Sequence, residues 1–259
     1  MKVRQGTKIN RLLKIWPHGT VSLSSWLTKN GYSGQLVNEY KKGAWLETIG
    51  TGAWIRSGDR VDWLGALYAL QDQAGMKIHA GAKTALTLVG DDQNRDPGNR
   101  QVLLFGQSRL KLPGWFRKHD WGERPIFHAT SFLPPDLGLN ELELHGFKVK
   151  ISGRARAVME SLYLANEERA LQESLALMEL QAEMKPNDAQ ELLENCSSIR
   201  VKRLFLYLGE KLRHKWVNEL DLARIELGTG KQSLFRNGAW VDKYKITVPK
   251  SFVATEPTR

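Results

Sequence analysis

Between Ile9 and Arg56 the chain reads as three short helical segments followed by two strand-like pieces on a glycine turn. Ile9–Trp16 carries apolar residues at helical spacing and ends at Pro17, which disfavours helical geometry in the residue before it. Thr20-Val21 reads as a short extended piece. Ser22 or Ser24 is the expected N-cap of a second helix, which runs through Trp26 and Leu27 to Asn30 and stops at Gly31. Ser33 is the expected cap of a third, Gly34–Lys42, ended by Gly43. Leu36, Val37 and Tyr40 mark its buried face, and Gln35, Asn38, Glu39, Lys41 and Lys42 its outward face. Trp45–Ile49 alternates as a strand, Gly50-Thr51-Gly52 turns, and Ala53–Arg56 returns. Helix, helix, helix, hairpin is the order of a winged helix-turn-helix.

Charge gives that head a class of partner. Residues 1–60 hold ten Lys/Arg against Glu39, Glu47 and Asp59, so seven of the chain's ten net positive charges fall in less than a quarter of its 259 residues. Clustered positive charge is what neutralises phosphates and dominates nucleic-acid affinity. A third helix of this kind enters the major groove, about 12 Å wide, and meets base edges with its exposed polar residues. Gln35 and Asn38 suit adenine; Lys41 and Lys42 suit phosphate or guanine. Ser33, at the helix start, can bond a phosphate beside free backbone N–H groups. In the wing, Thr48, Thr51 and Arg56 are placed to touch the backbone or the minor groove. The plainer alternative makes these ordinary surface residues of a small helical domain that binds protein.

Beyond Ser57-Gly58-Asp59 a long helix is expected over about Val61–Ala74, then a strand at Met76–His79 and a short helix at Ala82–Val89. The polar loop Gly90–Asn99 is dense in turn formers and is the expected boundary. The second half opens with strands at Gln101–Phe105, Ile126–Thr130, Leu142–Leu144 and Val149–Ser152, around an aromatic turn at Leu112–Arg117. It turns helical from Arg154 to about Trp216: Asn166–Glu183 is amphipathic, Pro186 begins another helix, and Ser197 or Ser198 caps a third. The tail, Arg224–Val248, returns to short strands. The expected fold is therefore α+β, a winged helix-turn-helix followed by a mixed α/β C-terminal domain. The expected domains are 1–95 (core 9–56, helical extension 60–90) and 96–259.

Charge is uneven here too. Gly153–Asn195 carries nine acids against four bases, and Ile199–Arg224 seven bases against three acids. These read as solvated helix faces, with docking of a charged partner as the alternative. Trp16, Trp26, Trp45, Trp54 and Trp63 fall at apolar positions and read as core; for Trp115 and Trp121, in turn-rich sequence, exposure at a protein interface is the alternative to packing. Cys196 is the only cysteine, which excludes an intramolecular disulfide and a Cys₂ or Cys₄ zinc site. No secretory signal and no membrane-length apolar run is read, so a cytoplasmic location is expected.

Catalytic signatures are poor, and neither a cofactor nor a metal is expected. Gly228-Thr229-Gly230-Lys231-Gln232-Ser233 lacks P-loop spacing and reads as a hairpin turn. The six histidines show no metal-ligand spacing, and no Gly-x-Ser-x-Gly elbow occurs. Two other readings remain open. One is an enzyme acting on a nucleotide or RNA, with Asp91, Asp92 or Ser108 near its site; the other is a transcription factor with a ligand-sensing C-terminal domain.

The ordered set Leu13–Val21, Trp26-Leu27, Gly43–Trp54, Asp62–Gln71, Gly81–Leu86, Leu103–Gly106 and Leu112–Phe116 resembles the AbiEi-type antitoxins of type IV toxin–antitoxin systems over roughly Ile9–Val248. The resemblance implies an N-terminal winged helix that represses its own operon at inverted repeats in operator DNA. It also implies a C-terminal domain that neutralises a nucleotidyltransferase-like toxin without a stable complex, in abortive phage defence. It implies no catalytic residues. The DNA-contacting role falls on Gln35, Asn38, Lys41, Lys42 and the wing.

Overall fold

The computed structural model describes residues 7–90, 101–235 and 237–253; Asp91 and Asp92 fall outside them. In chain order the elements are α1 (Lys8–Ile15), β1 (Ser22–Leu23), α2 (Ser24–Lys29), α3 (Gly34–Lys42), β2 (Leu46–Gly50), β3 (Ala53–Arg56), α4 (Trp63–Tyr68) and β4 (Ile78–Ala80). There follow α5 (Ala82–Leu88), β5 (Gln101–Gln107), α6 (Gly114–Lys118), β6 (Arg124–Thr130), β7 (Leu139–Leu144) and β8 (Phe147–Ser152). The last are α7 (Arg154–Leu164), α8 (Glu168–Glu179), α9 (Pro186–Asn195), α10 (Ile199–Lys211), β9 (Ala239–Val241) and β10 (Ile246–Val248). The fold is mixed α+β, and its contacts divide into two compact units. One is Met1–His79, Asp96–Ala129 and Glu141–Ile151; the other is Ala80–Arg95, Thr130–Asn140 and Ser152–Arg259. The first unit thus draws on both sides of the boundary expected near residue 95.

The first unit begins with three helices over a small sheet ordered β1-β3-β2, in which both pairings are antiparallel. Its core is Ile9, Leu12, Trp16, Leu27, Tyr32, Val37 and Leu46, the apolar stripes of α1, α2 and α3 closing on the hairpin. β1 lies two residues later than the extended piece expected at Thr20-Val21, because Thr20 is tied into the preceding turn. Its hydroxyl donates to the Pro17 carbonyl (2.7 Å) and accepts from the Trp16 indole (3.1 Å). Neither Ser22 nor Ser24 caps α2: its N-cap is Leu23 and carries no side-chain bond. Ser24 Oγ instead accepts from the Trp54 indole at 2.8 Å.

The long helix expected at Val61–Ala74 is shorter and changes pitch. Asp62 accepts from the Leu64 and Gly65 amides (2.9 and 3.0 Å) and so sets Trp63 as the first helical residue. After Tyr68 the chain widens into a π-helical turn, Ala69–Gln73. That turn delivers two glutamine amides to strand backbone. Gln73 accepts from Leu23 N (2.7 Å) and donates to Val21 O (3.2 Å); Gln71 accepts from Lys150 N (2.7 Å) and donates to Ile78 O (2.7 Å). The five-stranded sheet, ordered β6-β5-β4-β8-β7, has β4 at its centre. Where an aromatic turn is expected at Leu112–Arg117 there is a one-turn helix, α6. Trp115 and Trp121 are buried rather than exposed, and the Trp121 indole donates to Phe116 O at 2.8 Å.

In the second unit α7 is the central helix, in contact with α5, α8, α9 and α10. Pro186 opens α9 and Ser198 caps α10 by accepting from Val201 N (3.4 Å). Two buried charges organise this unit. Arg156 Nε bonds Glu160 at 2.8 Å, while Arg156 Nη1 reaches Pro134 O (2.8 Å) and Glu160 accepts from Ser152 Oγ (2.7 Å) and Ala82 N (3.0 Å). A buried pair of this kind is tolerated because its remaining polar atoms are satisfied.

Candidate nucleic-acid interface

The α3 helix is built to show one face. Ser33 Oγ accepts from Leu36 N at 3.3 Å and satisfies one of the amides a helix start leaves open. Val37 is buried in the head core, with Leu36 and Tyr40 half-buried beside it. Burial, helped by nearby Tyr32, pushes the Tyr40 phenol upward. The opposite face carries Gln35, Asn38, Glu39, Lys41 and Lys42, all exposed, and these five line one open depression. Lys42 Nζ lies 3.2 Å from Glu39, with both side chains more than half exposed. Such a surface pair is weak, and a phosphate can displace it. Ser33, Gln35, Asn38, Lys41 and Lys42 are therefore brought together on one helix.

The residues expected in a wing fare differently. Thr51 is exposed at the hairpin turn. Thr48 is exposed but its hydroxyl is engaged in the turn, within bonding distance of Gly50 O (2.9 Å) and accepting from Gly50 N (3.3 Å). Arg56 is not on the surface at all: it is 6% exposed. Its guanidinium donates to Leu13 O (2.5 Å) and to His18 Nε2 (2.9 Å), with its Cζ 5.8 Å from the Trp16 ring centroid. His18 in turn reaches Asp59 through Nδ1 (3.2 Å), and Asp59 accepts from Gly19 N (3.1 Å). Burial lowers the Arg56 pKa, an effect Asp59 partly offsets. Arg56 thus clasps α1 to the hairpin, and the expectation that it touches DNA is corrected.

One residue on this surface is missed by the sequence reading. Trp45, expected in the core, is 49% exposed at the end of α3. The signal was its parity: along the hairpin it alternates with buried Leu46 and shares a side with exposed Glu47.

The basic run of the second unit divides: Lys211, Arg213, Lys215 and Arg224 are exposed, whereas its first three bases are engaged within the unit. Lys202 and Arg203 are buried. Arg200 donates to the Tyr163 and Ala165 carbonyls and to Asn166 Oδ1. Arg203 donates to the carbonyls of Leu227 (2.8 Å), Gly228 (2.9 Å), Gly230 (2.7 Å) and Lys245 (3.0 Å). Gly228–Gly230 is therefore a loop wrapped on an arginine, not the expected hairpin turn; the hairpin of the tail is at Asp242–Lys245, between β9 and β10. Cys196 is buried, which pushes its thiol pKa up. A cavity of about 510 Å³ is lined by charges of both signs, among them Arg154, Lys185, Glu183 and Asp188. Ser108 is exposed just after β5. Among the described residues no group of three His, Cys, Asp or Glu could hold a metal, and no helix is long and apolar enough to cross a membrane.

Comparison with known proteins places the chain. Residues 5–94 match a family model described as "Transcriptional regulator, AbiEi antitoxin N-terminal domain". Residues 99–249 match one described as "Transcriptional regulator, AbiEi antitoxin, Type IV TA system". No curated protein matches in sequence. Among solved structures the chain is similar to the RV2827C protein from Mycobacterium tuberculosis, with a TM-score of 0.56 and 13% identity, over 92% of this chain and 88% of that one. At that identity the likeness concerns the fold alone.

Proposed function

The chain belongs to the AbiEi antitoxin family of transcriptional regulators of type IV toxin–antitoxin systems, and from that premise we propose that it represses its own operon through a winged helix-turn-helix at residues 9–56. In this reading α3 enters the major groove of operator DNA at inverted repeats. Gln35 and Asn38 face base edges, and Lys41, Lys42 and Ser33 face phosphates. Thr51, and the backbone around Thr48, contact the flanking strand. The C-terminal part neutralises a nucleotidyltransferase-like toxin. The observation that carries the DNA reading is the division of α3 into a face anchored by Val37 and an opposite face of exposed amides and lysines.

The test is the salt dependence of binding to a duplex carrying the promoter before the chain's own reading frame. Lys41→Ala/Lys42→Ala removes two phosphate contacts and is expected to reduce the slope of log K against log[salt] by about 2. An unchanged affinity and slope would sink this docking. Neutralisation is tested separately, by whether co-expression of the chain rescues growth from the neighbouring toxin.

A further inference from the structure

We propose that Trp45 is a DNA-contact residue, its indole lying against the sugar–phosphate backbone at the rim of the groove that α3 enters. The inference rests on the docking just described and adds a residue of a different chemical kind to that surface.

Trp45 is held, not loose. Its amide donates to Tyr40 O (2.9 Å) at the end of α3, and its carbonyl accepts from Ser57 N (3.0 Å) at the base of the hairpin. Ala44 before it adopts φ of +55°, a strained conformation for alanine that turns the chain sharply out of the helix. The ring edge sits over Gly43: a Cβ built on that glycine would lie 3.1 Å from Trp45 Cδ1 and 3.5 Å from Nε1. The backbone is therefore fixed on both sides and the ring lies along Gly43, while half of the residue meets solvent.

Its neighbours say what it meets. Trp16 and Trp63 are buried and Trp26 and Trp54 half-buried in the same unit, so among the tryptophans of that unit Trp45 is the exposed one; Ile15 of α1 is exposed to the same degree. Trp16, Trp54, Trp63 and Trp121 each donate the indole N–H to a protein acceptor. Among the described residues Trp26, Trp45 and Trp115 show no such bond, and of these three Trp45 alone is exposed. Just before it come Lys41 and Lys42, so the polyanion those lysines select is brought beside an open indole. A phosphate oxygen can accept the N–H, and the ring can cover the apolar side of a deoxyribose.

The chemistry separates this role from that of the lysines. An indole is neutral and releases no counterion, so its loss lowers affinity without changing the salt slope. The experiment titrates the same promoter duplex with wild type, Trp45→Phe, Trp45→Ala, Gly43→Ala and Lys41→Ala/Lys42→Ala at several salt concentrations. Melting temperature and solution mass are measured for each. Trp45→Phe keeps a ring and loses one hydrogen bond to a charged phosphate, so affinity should fall roughly ten- to a hundredfold. Trp45→Ala should fall further, and Gly43→Ala should weaken binding by displacing the ring, all three at the wild-type slope and with little change in melting temperature. If only the double lysine variant weakens binding, the role of Trp45 is refuted while the docking stands. If neither it nor the Trp45 variants weakens binding, both fail. A change in solution mass on Trp45→Ala would make this an interface between copies and overturn the proposal.

Discussion

Gly65 sits in α4 where a methyl group has no room. A Cβ built there would lie 1.8 Å from the carbonyl oxygen of Gly19, 2.9 Å from its carbon and 3.1 Å from Thr20 Cα. All three atoms are backbone, so none can rotate aside. A carbon–oxygen contact needs about 3.3 Å, and in Gly65→Ala the helix and the loop must part by about 1.5 Å. That movement breaks the bond from Val21 N to Gly65 O (3.2 Å) and pulls on the two bonds by which Gln73 holds Val21 and Leu23. Overpacking costs about 1–3 kcal/mol and each lost hydrogen bond about 1, so the change destabilises by about 3–5 kcal/mol. At about 2–4 °C per kcal/mol the midpoint of the first unit falls by about 6–20 °C. Tryptophan emission is the suitable probe, because seven of the nine tryptophans lie in that unit. Gly34→Ala is the control: nothing lies within 4 Å of its Cβ, and it should be neutral or stabilising by up to about 1 kcal/mol. A Gly65→Ala midpoint within about 2 °C of wild type would refute the argument that this backbone contact holds α4 in place.

Arg56→Ala removes the clasp between Leu13 O, His18 and the hairpin, and should destabilise the head by about 2–4 kcal/mol. The salt slope of DNA binding, measured well below the midpoint, should stay at the wild-type value; a reduced slope would return Arg56 to the DNA surface. Glu210 is held below the usual carboxylate range, first by its bond to Lys243 (2.5 Å) and also by that to Tyr244 (2.8 Å). A lowered folded-state pKa stabilises above the unfolded value and is lost as pH falls through the folded one. Glu210→Gln should therefore lower stability at neutral pH and converge with wild type below about pH 4. Because Glu210 and Lys243 are 45% and 57% exposed, solvent screening keeps the difference under about 1 kcal/mol. A difference that stays constant from neutral to acid pH would show that the carboxylate charge is not involved.

The three helices and the hairpin of the head are legible because each has a local cause: an apolar stripe, a cap or a glycine turn. Ser33 is read correctly as a cap, and Ser198 is one of the two serines offered for α10, because the rule involves only residues three apart; at α2 the same rule fails, since Ser24 is drawn to the distant Trp54. The failures share a different cause. Arg56 looks like a wing residue until Leu13 and His18, 43 and 38 positions away, are brought to it. Gly228–Gly230 looks like a turn until Arg203 is placed among its carbonyls. The π-helical turn after Tyr68 has no local mark either; its glutamines matter only once strands β1, β4 and β8 lie beside them. Trp115 and Trp121 follow the same logic, turn-like in sequence yet packed on each other and on Phe116. On α3 the outward polar face is legible from periodicity, whereas the exposure of Trp45 is visible only by attending to strand parity.

The interleaving of the first unit bears on how the proposed repression and neutralisation can be tested apart. Segments 1–79, 96–129 and 141–151 contribute to it together. A Cβ on Gly50, at the hairpin turn, would lie 2.8 Å from Trp115 Cβ, so that turn rests on α6. The Tyr68 ring packs on Phe147 at 5.4 Å, and the Gln71 amide is paired with Lys150 backbone. A chain cut near residue 95 leaves β4 without β5 and β8, its two neighbours in the sheet, and strips the hairpin of its support. Loss of repression in such a fragment would then report loss of structure as much as loss of the C-terminal part. The outward face of α3 offers a cleaner separation. Gln35, Asn38, Lys41 and Lys42 are exposed and take no part in the head core, so their substitution removes the proposed groove contacts and leaves both units intact. Neutralisation that survives those substitutions would belong to residues elsewhere in the chain.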